Sequence, residues 1–334
     1  MHGMHVTLFC GGPSSEHEVS IKSTQSILSA IDKTHFEVSV LYIQKDLSAC
    51  VFQPKKEWWI PTDPTLYKPL SSVLAHDLKK TDLAFLAGIH GEFAEDGQLQ
   101  GLLDMAGIRY SGSGRYASTL AMDKFRSALV VNALNGIVLP DTILIDIHED
   151  SNYDDLTFPL VFKPNAMGSS VGVHIVKSSS ELQKILVKAR KGNEFKDALL
   201  QEYIEGAQEL TCGCLQEKNG TFHKLPPVEI IPQTSSFFNY ESKYEIGGAV
   251  ELCPPKHVGE KISDQISDLT VQIHMLLGCQ TYSRSDFLLK NNALFYIETN
   301  TLPGMTQTSL IPKEAQAVGM SFTDLISFLI DQTP

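Results

Sequence analysis

The chain has 334 residues, 43% hydrophobic and 20% charged, with no low-complexity tract; this is a globular composition, long enough for two or three cores. Its formal net charge of −12 argues against a nucleic-acid partner, which would demand clustered Lys and Arg. No apolar run reaches the roughly 18 residues of a membrane helix, and the opening MHGMHVTLFCGG lacks the basic start and long apolar segment of an export signal. Six scattered cysteines, of which only Cys212 and Cys214 lie close together, fit neither a disulfide framework nor zinc spacing. A reduced, cytoplasmic setting without membrane contact is expected.

Residues 6–10 read as a short apolar strand that ends in Gly11-Gly12-Pro13-Ser14-Ser15, and residues 16–31 as the helix after it. A strand, a tight glycine turn and a helix N-terminus make a candidate anion or dinucleotide site. Without G-x-G-x-x-G the signal is weak. A strand at 37–42, a Trp- and Pro-rich excursion over 55–69 and a strand at 83–87 come next. Gly88-Ile89-His90-Gly91 closes that last strand. Ligands gather at such C-terminal strand ends, which makes His90 a candidate contact; a structural histidine satisfied by backbone is the equal alternative. Ser111-Gly112-Ser113-Gly114 marks a boundary, and the helix after it carries Lys124.

A strand at 158–163 is ended by Pro164, and another is expected at 171–176. The Gly/Ser loop between them, through Gly168, Ser169 and Ser170, can fold over phosphates and offer backbone N–H groups, with Lys163 adding charge at its base. It is not a Walker A loop. Gly168 to Gly172 also matches G-x-S-x-G, the nucleophile elbow of a serine hydrolase, with Ser170 as nucleophile. That motif needs a helix next, whereas VGVHIV alternates as a strand does. A helix at 180–191 precedes a strand at 198–206, whose backbone and apolar side chains would suit an adenine ring. Residues 232–249, with Lys243 and Tyr244, look like a loop that closes over a site. Amphipathic helices are expected at 258–276 and 320–330.

The strongest local signal is the hairpin YSRSDFLLKNNALFYIETN over 282–300. With a three-residue loop of Asn291, Asn292 and Ala293, Asp286 falls opposite Glu298 and Arg284 opposite Asn300. Phe287 and Leu289, and likewise Phe295 and Ile297, should then take the other face. Two facing carboxylates repel, so with an amide oxygen beside them they call for a hard cation, Mg²⁺ or Mn²⁺.

In order along the chain, GGPSSEHEVS, GIHGEFAEDGQLQG, YSGSG, MDK, FKPNAMGSSVG, QEYIEGAQEL, YESKY, RSD and ETNTLPGMTQTSLIP resemble the D-alanine–D-alanine ligases of the ATP-grasp superfamily, over nearly the whole length. The resemblance implies an α/β, three-domain ATP-grasp fold with units at 1–112, 113–202 and 203–334, ATP being gripped between the central and C-terminal sheets. It further implies that Lys124 and Lys163 contact ATP phosphates under the loop of Gly168, Ser169 and Ser170. Gln201, Glu202, Tyr203 and Ile204 would frame adenine, and Glu209 would receive the ribose. Asp286, Glu298 and Asn300 would hold two Mg²⁺ or Mn²⁺ ions; a monovalent cation is left open. Glu16, with His90 nearby, would bind the ammonium of the first D-alanine. Lys243, Ser309 and the Leu310 N–H would bind the carboxylate of the second. Arg284 and the Gly304 N–H would stabilise the oxyanion, while Ser169 and Tyr244 link the closing loops to Glu16. The resemblance also implies a homodimer.

The chain departs from the family pattern at Gln201, where relatives commonly have an acid, at Phe162, where Val is usual, and at Ser283 and Ser285 around Arg284. Tyr244 resembles the dipeptide-forming members and favours D-alanine over D-lactate as second substrate; a ligase joining D-alanine to D-lactate or D-serine is the alternative.

Overall fold

The computed structural model describes residues 3–55, 60–149, 153, 155–168, 171–233 and 248–334. Three sheets organise them. The first has strand order β4-β3-β2-β1-β5, from β1 (Met4–Gly11), β2 (Phe36–Ile43), β3 (Ser48–Phe52), β4 (Lys68–Pro69) and β5 (Leu83–Phe85). β1 runs parallel to both β2 and β5. A parallel sheet is covered on both faces and needs unbroken apolar strands, and β1 is buried from Val6 to Gly11. Helices α1 (His17–Ala30), α2 (Leu70–His76) and α3 (Gln98–Ala106) accompany this sheet.

The second sheet, β6-β9-β7-β8, is antiparallel and uses β6 (Thr142–Asp146), β7 (Leu160–Pro164), β8 (His174–Val176) and β9 (Asp197–Glu202). Helix α6 (Ser179–Gly192) packs on it through Leu182 and Leu186. Ser178 starts that helix by accepting the Glu181 N–H, while Glu181 accepts the Lys177 N–H. The third sheet, also antiparallel, has the order β13-β12-β10-β14-β15, with β11 beside β10. Its strands are β10 (Gln208–Gln216), β11 (Phe222–Lys224), β12 (Val228–Pro232), β13 (Ala249–Leu252), β14 (Tyr282–Lys290) and β15 (Ala293–Asn300).

The helix expected after residue 114 is two helices, α4 (Arg115–Met122) and α5 (Lys124–Val131). Asp123 breaks the run because its carboxylate accepts the Arg126 N–H and so caps α5. Both helices pack on the third sheet, joining a core of Leu210, Phe287, Leu294 and Tyr296 with Ile266 and Ile273 of α7 (Glu260–Leu276). The C-terminal helices α8 (Leu310–Ala317) and α9 (Phe322–Asp331) instead fill the core of the first sheet, through Ile311, Leu325 and Leu329. The strand expected at 198–206 ends at Glu202, and a turn leads into β10, the longest strand beside β14, which the sequence reading passed over.

Candidate active site

The hairpin register sets the site. Arg284 pairs with Asn300 and Asp286 with Glu298, as expected, but by another route. The loop is only Asn291-Asn292, both with positive φ (51° and 63°), and Lys290 pairs with Ala293. A bulge between Asp286 and Phe287 shifts the register back by one residue. The bulge also corrects the expected facing of β15. Leu294 and Tyr296 enter the core with Phe287 and Leu289, whereas Ile297 lines the same cavity as Glu298.

That cavity, about 230 Å³, lies between the second and third sheets. Lys163, Gln201, Glu202, Tyr203 and Ile204 reach it from the second sheet and the turn after it; Glu209, Arg284, Asp286 and Glu298 reach it from the third. Lys124 enters at the start of α5, and Leu310 at the start of α8. Apolar side chains complete the walls, among them Val161, Met167, Ile230 and Leu288. Asn165 holds α5 across the gap: its side chain accepts the Phe125 N–H at 2.9 Å and its carbonyl the Lys124 N–H at 3.2 Å. A helix seated on one sheet thus delivers Lys124 to the loop of another.

The expected repulsion between Asp286 and Glu298 is already answered by side chains. Arg284 donates to both oxygens of Asp286, at 3.0 and 3.2 Å, and Thr211 donates at 2.5 Å. Lys124 lies 3.2 Å from Glu298 and donates to the Met167 carbonyl at 2.6 Å. Burial alone would lower the Arg284 pKa, yet Asp286 and Glu298 hold it above arginine's ordinary value. Burial pushes Lys163 down to about 8, with Glu298 opposing and Lys124 adding. Lys124, Lys163 and Arg284 therefore gather as three cations in one chamber, the donors a polyphosphate needs, with Glu202, Glu209, Asp286 and Glu298 also in its walls.

Among the described residues no group of three His, Cys, Asp or Glu side chains could hold a metal. Asp286 and Glu298 do face each other and remain partly exposed, at 27% and 31% of the side chain. The Asn300 amide oxygen accepts the Leu302 N–H at 2.9 Å, leaving it one lone pair. Two carboxylates and an amide are hard oxygen donors, so they fit Mg²⁺ or Mn²⁺ where phosphate oxygens complete the coordination.

Glu16 and His90 do not line this cavity. They stand at the C-terminal ends of β1 and β5, where the loops interlock: Ser14 donates to the His90 carbonyl at 2.8 Å and accepts the Glu16 N–H at 3.2 Å. Gly91 (φ +81°) permits the contact, since a Cβ there would lie 2.6 Å from the Ser14 hydroxyl. His90 is buried with both ring nitrogens engaged, on Ser23 Oγ at 2.8 Å and the Leu302 carbonyl at 3.1 Å. A carbonyl only accepts, so Nδ1 carries the proton and Nε2 accepts from Ser23. The structural alternative for His90 is the one its contacts support; it ties the first sheet to the segment after β15.

That segment carries Gly304, Ser309 and Leu310. Ser309 holds the N-cap position of α8 without a side-chain bond to the helix; its hydroxyl instead accepts the Thr306 N–H at 3.0 Å. Gln201 donates to Thr142 at 2.9 Å. Ser169, Ser170, Lys243 and Tyr244 lie outside the described residues, as does most of the loop expected at 232–249. After Ser170 comes a turn and then strand β8, not a helix, so the context of a hydrolase elbow is missing. Sequence reasoning missed Asp123, Asn165, Thr211 and Glu314. Only Asp123, an Asp ahead of an apolar run, had a legible local signal.

The description D-ala D-ala ligase N-terminus matches residues 5–113, and D-ala D-ala ligase C-terminus matches 145–331. The chain is 37% identical over 331 residues to a D-alanine--D-alanine ligase of Oleidesulfovibrio alaskensis, covering 98% of this chain and 96% of that one. It is 32% identical over 359 residues to that of Leptospira biflexa, covering 99% of each. Its fold matches the crystal structure of D-alanine--D-alanine ligase from Bacillus anthracis complexed with ATP, with a TM-score of 0.77 at 29% identity over 99% of this chain and 97% of that one. It also matches the VanG D-Ala:D-Ser ligase from Enterococcus faecalis, with a TM-score of 0.82 at 26% identity over 100% of both.

Proposed function

The chain belongs to the D-alanine–D-alanine ligase family and is an ATP-dependent ligase of the ATP-grasp fold, and we propose that the cavity between its second and third sheets carries the reaction. The product is D-alanyl-D-alanine, a peptidoglycan precursor. One observation supports the reading above all: a single cavity gathers Lys124, Lys163 and Arg284, the facing acids Asp286 and Glu298, and the apolar slot beside Gln201 to Ile204.

Adenine lies against Gln201, Glu202, Tyr203 and Ile204, and Glu209 takes the ribose hydroxyls. Lys124 and Lys163 hold the phosphates beneath Gly168, Ser169 and Ser170. Asp286, Glu298 and Asn300 would hold Mg²⁺ or Mn²⁺, two ions in the proposed complex, which supply neutralising charge to the transferring phosphoryl group. Glu16 binds the ammonium of the first D-alanine, and His90 fixes the loop around it. Ser309, the Leu310 N–H and Lys243 hold the second substrate's carboxylate. Ser169 and Tyr244 tie the covering loops to Glu16; these roles rest on the family resemblance.

A carboxylate is a poor electrophile. The first D-alanine therefore takes the γ-phosphoryl group of ATP, giving ADP and an acyl phosphate. The second D-alanine, as free amine, attacks the acyl carbon. Charge grows on the carbonyl oxygen, where the family resemblance assigns Arg284 and the Gly304 N–H as donors, and phosphate departs as the tetrahedral species collapses. Acyl phosphates hydrolyse in water, so the loop bearing Lys243 must cover the site.

We further propose a cytoplasmic homodimer with units at 1–112, 113–202 and 203–334; one sheet falls in each unit, while α4 and α5 join the core of the third sheet and α8 and α9 that of the first. No helix among the described residues is long and apolar enough to cross a membrane. The coupled assay for ADP release tests the function. ADP should form only with D-alanine and Mg²⁺ or Mn²⁺ together. Release that ignores D-alanine, or persists in EDTA, overturns the assignment. The likeness to a D-Ala:D-Ser ligase favours one second reading, so D-serine and D-lactate belong in the same assay across pH. D-alanine should be the preferred second substrate.

A further inference from the structure

Strand β10 is bordered unevenly. β14 pairs with it from Gln208 to Leu215. On its other side β12 pairs only with Glu209 to Thr211, and β11 only with Cys214 to Gln216. Residues 212 and 213 therefore face a gap in the ladder, where a buried N–H has no strand to bond. Glu314 fills the gap. Its side chain is fully buried, and Oε1 accepts the Gly213 N–H at 3.0 Å. The fit is mutual, because a Cβ on residue 213 would stand 2.5 Å from Glu314 Oε2 and 2.9 Å from Ile311 Cδ1.

The location gives this contact a consequence for catalysis. Gly213 is paired directly with Arg284 across β10 and β14, and facing residues project from one side of a sheet. The absent side chain at 213 leaves the slot beside Arg284 that the Glu314 carboxyl enters. On α8, Leu310 and Glu314 are four residues apart and share a face; Leu310 lines the ligand cavity and Ser309 immediately precedes the helix. One helix thus carries the proposed carboxylate pocket at its first turn and the sheet anchor at its second.

We propose that Glu314 is a positioning residue for the second substrate: by fastening α8 to β10 opposite Arg284, it fixes the separation between the carboxylate pocket and the oxyanion donor. This rests on the ligase reading given above. Glu314 Oε2 has no hydrogen-bond partner among the described residues, and burial, partly offset by the Gly213 N–H and Arg284, raises the carboxyl pKa well above the ordinary glutamate value. The carboxyl serves as an acceptor for the Gly213 N–H, a role an amide can copy and a shorter side chain cannot reach.

The test compares Glu314→Gln, Glu314→Asp and Glu314→Ala, by steady-state kinetics and by amide hydrogen exchange. Glu314→Gln should keep wild-type kinetics. Glu314→Asp and Glu314→Ala should raise KM for the second D-alanine about tenfold or more, the effect of losing one buried hydrogen bond, with KM for ATP unchanged. Exchange at Gly213 and along residues 309–317 should quicken in the same two variants. If Glu314→Ala does not fold, Glu314→Asp carries the comparison. Equal losses in every kinetic constant, or a Glu314→Gln as impaired as Glu314→Asp, would overturn the proposal. Exchange needs no turnover, so unchanged protection at Gly213 sinks the anchor by itself, whereas absent ADP release from the wild type sinks the ligase reading.

Discussion

Glu298→Gln separates the two tasks assigned to this acid. The substitution preserves shape and removes one charge, so it releases Lys124 from a partner 3.2 Å away. At an effective dielectric of about 20, that pair attracts by roughly 5 kcal/mol. Desolvation and solvent screening return most of this, because Glu298 is 31% exposed, leaving about 1 kcal/mol. Melting should therefore move by only about 2 °C. Turnover should respond far more: losing a metal ligand should cost about 3 kcal/mol or more, roughly a hundredfold in kcat. KM for ATP should not rise, since the phosphate chamber loses a negative charge and Lys124 is freed. The coupled ADP assay over a Mg²⁺ titration, paired with thermal melts, reads all three quantities. Wild-type kcat with unchanged Mg²⁺ dependence would refute the metal role. A large fall in melting temperature would show that the acid serves the fold instead.

Two further outcomes follow from charge and backbone. Burial, opposed by Glu298, holds the free-enzyme Lys163 pKa at about 8, so its ammonium is present below that pH and lost above it. Bound phosphates restore the proton; ATP affinity should be flat below pH 8 and weaken above it by up to about tenfold per unit, and Lys163→Met should abolish that slope. A flat wild-type profile to pH 9.5 would contradict the phosphate contact. For stability the sign is opposite: between 8 and lysine's ordinary value of 10.5 the unfolded chain binds more protons, so this group makes stability rise with pH. At the hairpin tip, Asn292 has φ +63°. Asn292→Val should cost about 1–2 kcal/mol, while Asn292→Gly is neutral or stabilising; equal melting of both variants would remove the argument from left-handed backbone.

The parts legible in the sequence are those whose partners are near in the chain. The strand and glycine turn at 6–12, helix α6 with its Ser178 cap, and the pairing of Asp286 with Glu298 all follow from patterns a few residues long. The hairpin shows the limit. A three-residue loop and a two-residue loop with a bulge bring the same pairs together, but only the second turns Ile297 into the cavity. Strand β10 escaped because Thr211, Cys212, Gly213 and Cys214 are small and show no alternation of polar and apolar residues. Being central, it is buried on both faces, and period two disappears. Asn165 and Glu314 carried no local signal, since each earns its role from a backbone N–H that lies 40 or 101 residues away.

The charges on the hairpin likewise depend on a partner distant in the chain. The facing acids of the hairpin call for Mg²⁺ or Mn²⁺ when read alone, but in the fold Arg284 and Lys124 pair with them. Arg284 is two residues from Asp286 and was visible; Lys124 arrives on α5 from 174 residues before Glu298. Such pairs hold each side chain near the place a ligand would require, at little net energy. On the proposed reading, an arriving polyphosphate would offer Lys124 and Lys163 stronger partners and free Glu298 for a metal. The chamber can then exchange one set of ion pairs for another without leaving a buried charge alone, which is the costly alternative. On the proposed reading Asp286, Glu298 and Asn300 would supply only part of a metal's oxygen shell, and the phosphates of the nucleotide would bring the rest.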